Sequence, residues 1–224
     1  MQSYDRPGYT PRWRLGNLAL KDCSIIRREE LNPPAIFTAE KENRDRVMQS
    51  LVLGFSTDPL GRWFWPDATT YMQSGEGFDA FAGRSIDSGS AYVTENYEGV
   101  ALWMPPGVEP DEERMGSFLE NTIPEHYIEE VFAVFEAMDS FHPEEPCWYL
   151  PVIAVDPFHQ GNGFGSQLMK HALQRIDEEG LPAYLESSNP RNISLYERHG
   201  FEVIGKIQIG SSPPVHPMLR PAGG

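Results

Sequence analysis

Between an apolar strand pattern and a helix pattern the chain carries Gln160-Gly161-Asn162-Gly163-Phe164-Gly165-Ser166. Glycines in such a turn let the backbone approach a ligand closely. Free N–H groups at a helix start, aided by the helix dipole, can hold phosphate. The turn is not a Walker loop, because no Gly-Lys-Ser/Thr follows. Nor is it the dinucleotide fingerprint, since Ser166 stands where the third glycine counted from Gly161 belongs. Metal chemistry has little support. His126, His142, His159, His171, His199 and His216 are scattered without a ligand spacing, and the two cysteines, Cys23 and Cys147, form no CxxC. A single Cys23–Cys147 disulfide stays open.

Two motif halves stand in order. The first is Gln-x-x-Gly-x-Gly (Gln160, Gly163, Gly165) after the strand end Val155-Asp156-Pro157. The second is Asn189, Asn192, Tyr196, Gly200 and Phe201 in the order Asn-x-x-Asn-x-x-x-Tyr-x-x-x-Gly-Phe. Together they resemble the GNAT acetyltransferase superfamily, strongly over 146–205 and more weakly over 35–104. Within it, the stretches 142–150 and 184–188 look like the puromycin N-acetyltransferase group.

The resemblance implies an α/β (α+β) domain whose mixed central sheet splays between two parallel strands, here Trp148–Val155 and Ala183–Ser187, with helices on both faces. It implies acetyl-CoA across the splay. The backbone of Ile153, Ala154 and Val155 would pair with the pantetheine arm. The N–H groups of Gln160, Gly161, Asn162, Gly163, Phe164, Gly165 and Ser166 would hold the pyrophosphate. Asn189 and Asn192 would contact the cofactor farther along. Many members carry Arg or Lys at the position of Asn162, so that contact would rest on backbone groups. Tyr196 matches the general acid that protonates the leaving sulfur, and a phenol of pKa ~10 is protonated at neutral pH. A backbone N–H near Ala154 would hold the oxyanion. Glu186, at the end of the second strand, is the candidate base, with a structural carboxylate as the other reading. His142 and Asp58 are further candidates.

The elements that position these residues are legible in outline. Ala35–Ala39 predicts a strand, and Val47, Leu51 and Phe55 predict a helix over Arg44–Phe55. Residues 56–67 hold three aromatics between prolines and predict a rigid loop. A weaker helix is expected over 68–82, then a hairpin of 90–94 and 99–103. Helices follow over 111–120 and 125–141, the second with the stripe Ile128, Val131, Phe132, Phe135 and Met138. Strand Trp148–Val155, helix Gly163–Glu179, strand Ala183–Ser187, a short helix 192–199 and strands near 201–209 and 215–219 complete the chain. Residues 1–34 are expected to be an N-terminal extension, 35–145 an acceptor-side half and 146–219 an acetyl-CoA-binding half of one acyltransferase domain.

Composition limits the partners. The chain has 224 residues, 33 acidic and 18 basic, for a net charge of −15. That balance disfavours nucleic acid and anionic membrane surfaces. No early apolar run resembles a signal peptide, and no stretch approaches the roughly 20 apolar residues of a membrane span. A cytoplasmic protein, monomer or homodimer, is the simplest expectation. The excess is concentrated: residues 95–145 carry 14 acidic groups and one cation, Arg114. Phe55, Asp58, Trp63, Trp65, Trp103 and His142 are the expected acceptor residues, and Phe64 stands among them. The expected function is N-acetyl transfer to a small amine, cationic if the acidic segment selects it. The alternatives are a non-catalytic acyl-CoA sensor module and a protein-directed acetyltransferase.

Overall fold

Apolar residues on alternate positions build the sheet. In the computed structural model, which describes residues 35–223, the strands are β1 (Ile36–Thr38), β2 (Ala91–Thr94), β3 (Gly99–Met104), β4 (Trp148–Val155), β5 (Ala183–Ser187), β6 (Glu202–Val203) and β7 (His216–Arg220). They form one seven-stranded sheet in the order β1-β2-β3-β4-β5-β7-β6. Only β4 and β5 run parallel among its pairs. The expectations for residues 1–34 and for Cys23 lie outside the described residues.

Helices cover both faces, as the two separate cores show. On one face lie α1 (Arg44–Gly54), α2 (Pro59–Phe64), α3 (Ala68–Tyr71), α4 (Ser74–Ala82), α5 (Arg84–Asp87), α6 (Glu112–Thr122) and α7 (Ile128–Asp139). On the other lie α8 (Phe164–Glu179) and α9 (Ile193–Glu197). No helix of the described residues is long and apolar enough to cross a membrane.

The centre of the sheet opens because of a proline. β4 and β5 pair at Trp148–Ala183, Tyr149–Tyr184 and Leu150–Leu185, and the pairing stops there. The next residue, Pro151, has no N–H to continue a ladder. On its other edge β4 bulges against β3: Leu102 pairs with Val152 but Met104 pairs with Tyr149. The extra residue shifts the side-chain phase. Trp148 and Leu150 face the α8 core, while Val152 and Ala154 face the α1 core. Beyond Leu150, β4 keeps β3 as its neighbour and has no strand partner on the β5 side.

Four expectations change, the first being the helix over 68–82, which divides into α3 and α4 at Met72-Gln73. The loop over 56–67 contains α2, because Asp58 caps it: its Oδ1 accepts the N–H groups of Leu60 and Gly61 at 3.0 Å each, and Pro59 occupies the first turn. In α7 the stripe includes Val134, which is buried, while Phe132 is 39% exposed. The strand expected over 201–209 shrinks to Glu202–Val203 plus a bridge between Ile207 and Val215.

One close contact fixes the width of the opening. Gly54, at the end of α1, stands so near β4 that an added Cβ would lie 2.6 Å from the Ala154 Cβ. Ala is the better helix former, but a methyl here must displace backbone-anchored atoms. Gly54→Ala is expected to lower Tm by about 2–6 °C despite the gain in helix propensity, read by calorimetry; a rise in Tm would show that α1 and β4 can separate freely.

Candidate active site

The gap between β4 and β5 continues into a cavity of about 580 Å³. Its walls include Ile153, Ala154 and Val155 from β4, the turn residues Gln160, Gly161, Gly163, Phe164, Gly165 and Ser166, and Asn189, Asn192 and Tyr196 beyond β5. Glu186, Asp58, Phe55 and Trp65 line it as well. So residues far apart in sequence meet in one space.

The turn presents donors. Gly163 has φ 85° and is the N-cap of α8, where no side chain caps the helix. That left-handed backbone is easy for glycine alone. The backbone N–H groups of residues 160–166 have no partner among the described residues. A 16-residue helix with an open, positive N-terminus suits phosphate oxygens. Gln160 Nε2 donates to the Val155 carbonyl at 3.1 Å, tying the turn to the end of β4. Ser166 Oγ lies 2.8 Å from His199 Nε2. Burial and the charges of Lys170, Arg198 and Arg220 hold the His199 ring below the usual histidine value. The turn and the free edge of β4 thus fit a ligand with phosphates at one end and amide groups along an extended arm.

Two titratable groups face the same space. Glu186 sits on β5, on the face it shares with Tyr184, which pairs with Tyr149 across the parallel ladder. Burial pushes the Glu186 carboxyl up to about 7, against the stabilising hydroxyls of Tyr149 and Tyr184. Asp139 adds to the rise. The two tyrosine rings lie 5.9 Å apart. Tyr196 is buried on α9, and burial together with nearby Asp58 raises its phenol above the ordinary tyrosine value. It is therefore a neutral O–H donor at physiological pH.

Asp58 is committed to structure. Beyond capping α2, its Oδ2 accepts the Ser188 hydroxyl at 2.7 Å, which ties α2 to the end of β5. Burial raises its carboxyl, and the Gly61, Ser188 and Leu60 donors oppose the rise. Cys147 is buried and outside the cavity wall, and burial followed by Glu186 pushes its thiol up to about 11. It carries almost no thiolate at neutral pH.

Four expected site residues do not reach the cavity. Asn162 is exposed, with its side chain donating to the His159 carbonyl at 3.1 Å. Trp63 turns outward, its indole donating to Ser211 Oγ at 3.1 Å. Trp103 is fully buried in the core under α8, on the opposite face of the sheet. His142 packs edge-on against Tyr149 and Tyr184, with centroids 5.1 and 4.9 Å away. In their place the cavity wall carries Phe78, Phe81, Phe135, Met115 and Met138 from α4, α6 and α7. The amphipathic stripe of α7 was the available signal for Phe135 and Met138, but it pointed equally well to ordinary core packing.

Residues 87–201, just over half of the chain, match the acetyltransferase (GNAT) family. An uncharacterized N-acetyltransferase of Schizosaccharomyces pombe is 27% identical over 138 residues, covering 56% of each chain. A mycothiol acetyltransferase of Brachybacterium faecium is 40% identical over 58 residues, 25% of this chain and 18% of the relative. The chain thus spans about half or less of the length of these relatives. Among solved structures, an acetyltransferase from Corynebacterium glutamicum described as histone acetyltransferase HPA2 and related superposes with a TM-score of 0.61 at 24% identity, covering 85% of this chain and 97% of that one. Arylalkylamine N-acetyltransferase 2 from Aedes aegypti gives 0.60 at 11% identity, covering 86% and 100%. At these identities the structural likeness establishes the fold.

Proposed function

The chain belongs to the acetyltransferase (GNAT) family, and from that premise we propose that it moves the acetyl group of acetyl-CoA to the amine of a small molecule by direct attack. One observation carries the reading: the unpartnered N–H row of the turn and the unpaired edge of β4 open onto the same cavity as Glu186 and Tyr196. The free N–H groups of residues 160–166 would hold the pyrophosphate, and the β4 edge would pair with the pantetheine amides. A backbone N–H of β4 near Ala154 would receive the developing oxyanion.

The proton path follows from the two side chains. An alkylammonium must lose a proton before its nitrogen can attack the thioester carbonyl. Glu186, poised near neutrality by burial, accepts it. The C–N bond forms, the C–S bond breaks, and the Tyr196 O–H supplies a proton to the leaving sulfur. The second proton that the nitrogen sheds as the amide forms returns to the Tyr196 phenolate, and Glu186 releases the first to solvent. The high thiol value and position of Cys147 favour direct attack over an acetylated cysteine. His142, Tyr149, Tyr184 and Glu186, within the stretches that resemble the puromycin N-acetyltransferase group, lie in one cluster beside the cavity, which supports a place near that group.

Purified protein should bind acetyl-CoA saturably by calorimetry and release free thiol only when an amine is added. Binding without amine-dependent thiol release would leave a sensor module in place of an enzyme. The tyrosines give a finer readout. The Tyr149 hydroxyl stabilises the charged form of Glu186. Tyr149→Phe is expected to move the acidic limb of the kcat/KM profile upward by about 1 pH unit, the worth of one hydrogen bond to a charge. An unmoved limb with a lowered Tm would assign Tyr149 to packing alone.

A further inference from the structure

Beside Glu186 the cavity is walled by rings. Phe64 and Phe135 stack at 5.4 Å with planes 11° apart, Phe135 meets Phe81 at 6.0 Å, and Phe81 meets Tyr149, the neighbour of Glu186, at 6.3 Å. Phe55 and Phe78 add a second ring pair at 5.0 Å. This wall is contributed by the end of α1, α2, α4 and α7 on the face opposite α8.

Carboxylates are scarce on the cavity wall, which also carries Arg191 and Arg198 from the region of α9. The cavity wall holds two carboxylates, Asp58 and Glu186. Asp58 is used internally by Leu60, Gly61 and Ser188. None of the fourteen acidic residues of 95–145 lines the cavity; that segment contributes Met115, Phe135 and Met138. Several of those carboxylates have other partners: Asp111 pairs with Arg84, Glu98 accepts from Thr94, and Glu130 accepts from Ser211. The segment therefore reaches the cavity wall with apolar side chains and not with its carboxylates.

From this wall we infer that the acceptor is a primary amine on an aromatic or similarly bulky apolar body with no second positive charge. The inference rests on the acetyl-transfer reading above. The amine head would meet Glu186, the one carboxylate of the wall not bound into a cap, and the body would lie in the cavity against the contiguous ring wall of Phe81, Phe135 and Phe64. A diamine would carry its second ammonium into that apolar wall without a counter-charge. Contact with ring faces offsets only part of the cost of stripping water from it.

The test uses the full-length protein, saturating acetyl-CoA, a thiol reporter and three acceptors: 2-phenylethylamine, 1,6-hexanediamine and a lysine-containing basic peptide. The expected kcat/KM for 2-phenylethylamine exceeds that for the diamine by about 100-fold, since several apolar contacts each contribute to discrimination. It should change less than about twofold up to 0.3 M salt, because no cluster of acidic groups steers the acceptor. Phe135→Leu, which keeps the core filled, should lower the 2-phenylethylamine to diamine ratio by about tenfold. A diamine or peptide preference, or a steep fall of kcat/KM with salt, would overturn the assignment while leaving the transferase reading intact. Thiol release with none of a wider amine panel, acetyl-CoA being bound, would overturn the transferase reading and this one with it.

Discussion

Glu186→Gln is expected to lower kcat/KM for the amine by about 10²- to 10³-fold above pH 7 and to raise Tm under the same conditions. The loss of rate is the usual worth of a positioned general base. The gain in stability comes from the same cause that fits Glu186 for the role. Its carboxyl is raised from 4.5 to about 7, chiefly by burial. The folded state therefore binds a proton that the unfolded state has already released between those values. Stability contributed by the neutral form is full below pH 4.5 and is lost as pH rises to 7. Above that, the buried charge costs on the order of 3 kcal/mol. A glutamine keeps the shape without the charge, so Tm should rise by several degrees at pH 8 and change little at pH 4. Lower activity with no pH-dependent gain in Tm would make Glu186 a binding group of ordinary acidity. Unchanged activity would place the base elsewhere. His142 is the poorer alternative on geometry, because it lies outside the cavity wall behind Tyr149 and Tyr184.

Tyr196→Phe carries the second large effect. Its ring is buried against Phe201 and its hydroxyl faces the cavity region shared with Asp58. Phenylalanine keeps the ring packing and removes the proposed proton donor. The expected result is a fall in kcat of about 10²- to 10³-fold with little change in acetyl-CoA affinity by calorimetry. Because burial and Asp58 raise this phenol, the wild-type rate should show no alkaline limb at the ordinary tyrosine pKa of ~10. A variant that turns over at the wild-type rate at every pH would remove Tyr196 from the proton path.

The parts of the fold proposed to hold the cofactor's phosphates are the most legible. β4 and β5 have the bounds expected from two apolar runs, and α8 begins one residue after its expected start because Gly163 adopts the left-handed cap. These are local signals: a run, a turn and a helix in immediate succession. The acceptor side was less legible because its wall is assembled by packing among α2, α4, α6 and α7. The pair Asp58-Pro59 was a readable helix start that the surrounding aromatics and prolines obscured. Trp103 stands at the hairpin end, where an acceptor contact is expected, yet strand alternation in β3 sends it to the opposite face from Leu102 and Met104. The Tyr149–Tyr184 pair beside Glu186 depends on a parallel register between strands 35 residues apart, which no local pattern specifies. Net charge is likewise silent about a cavity wall. Fourteen carboxylates in one segment suggested an acidic acceptor site, but a segment's charge and the lining of a cavity are separate properties, and here only apolar residues of that segment reach the wall.

The central proposal is transfer from bound acetyl-CoA to an amine without an acetylated protein. The decisive measurement is mass spectrometry of a single-turnover mixture of protein, isotopically labelled acetyl-CoA and 2-phenylethylamine. The expected result is labelled N-acetyl-2-phenylethylamine and free CoA in equal amounts, with the intact protein mass unchanged at every time. Label on the protein that then passes to the amine, or CoA release without acetylated amine, would contradict it.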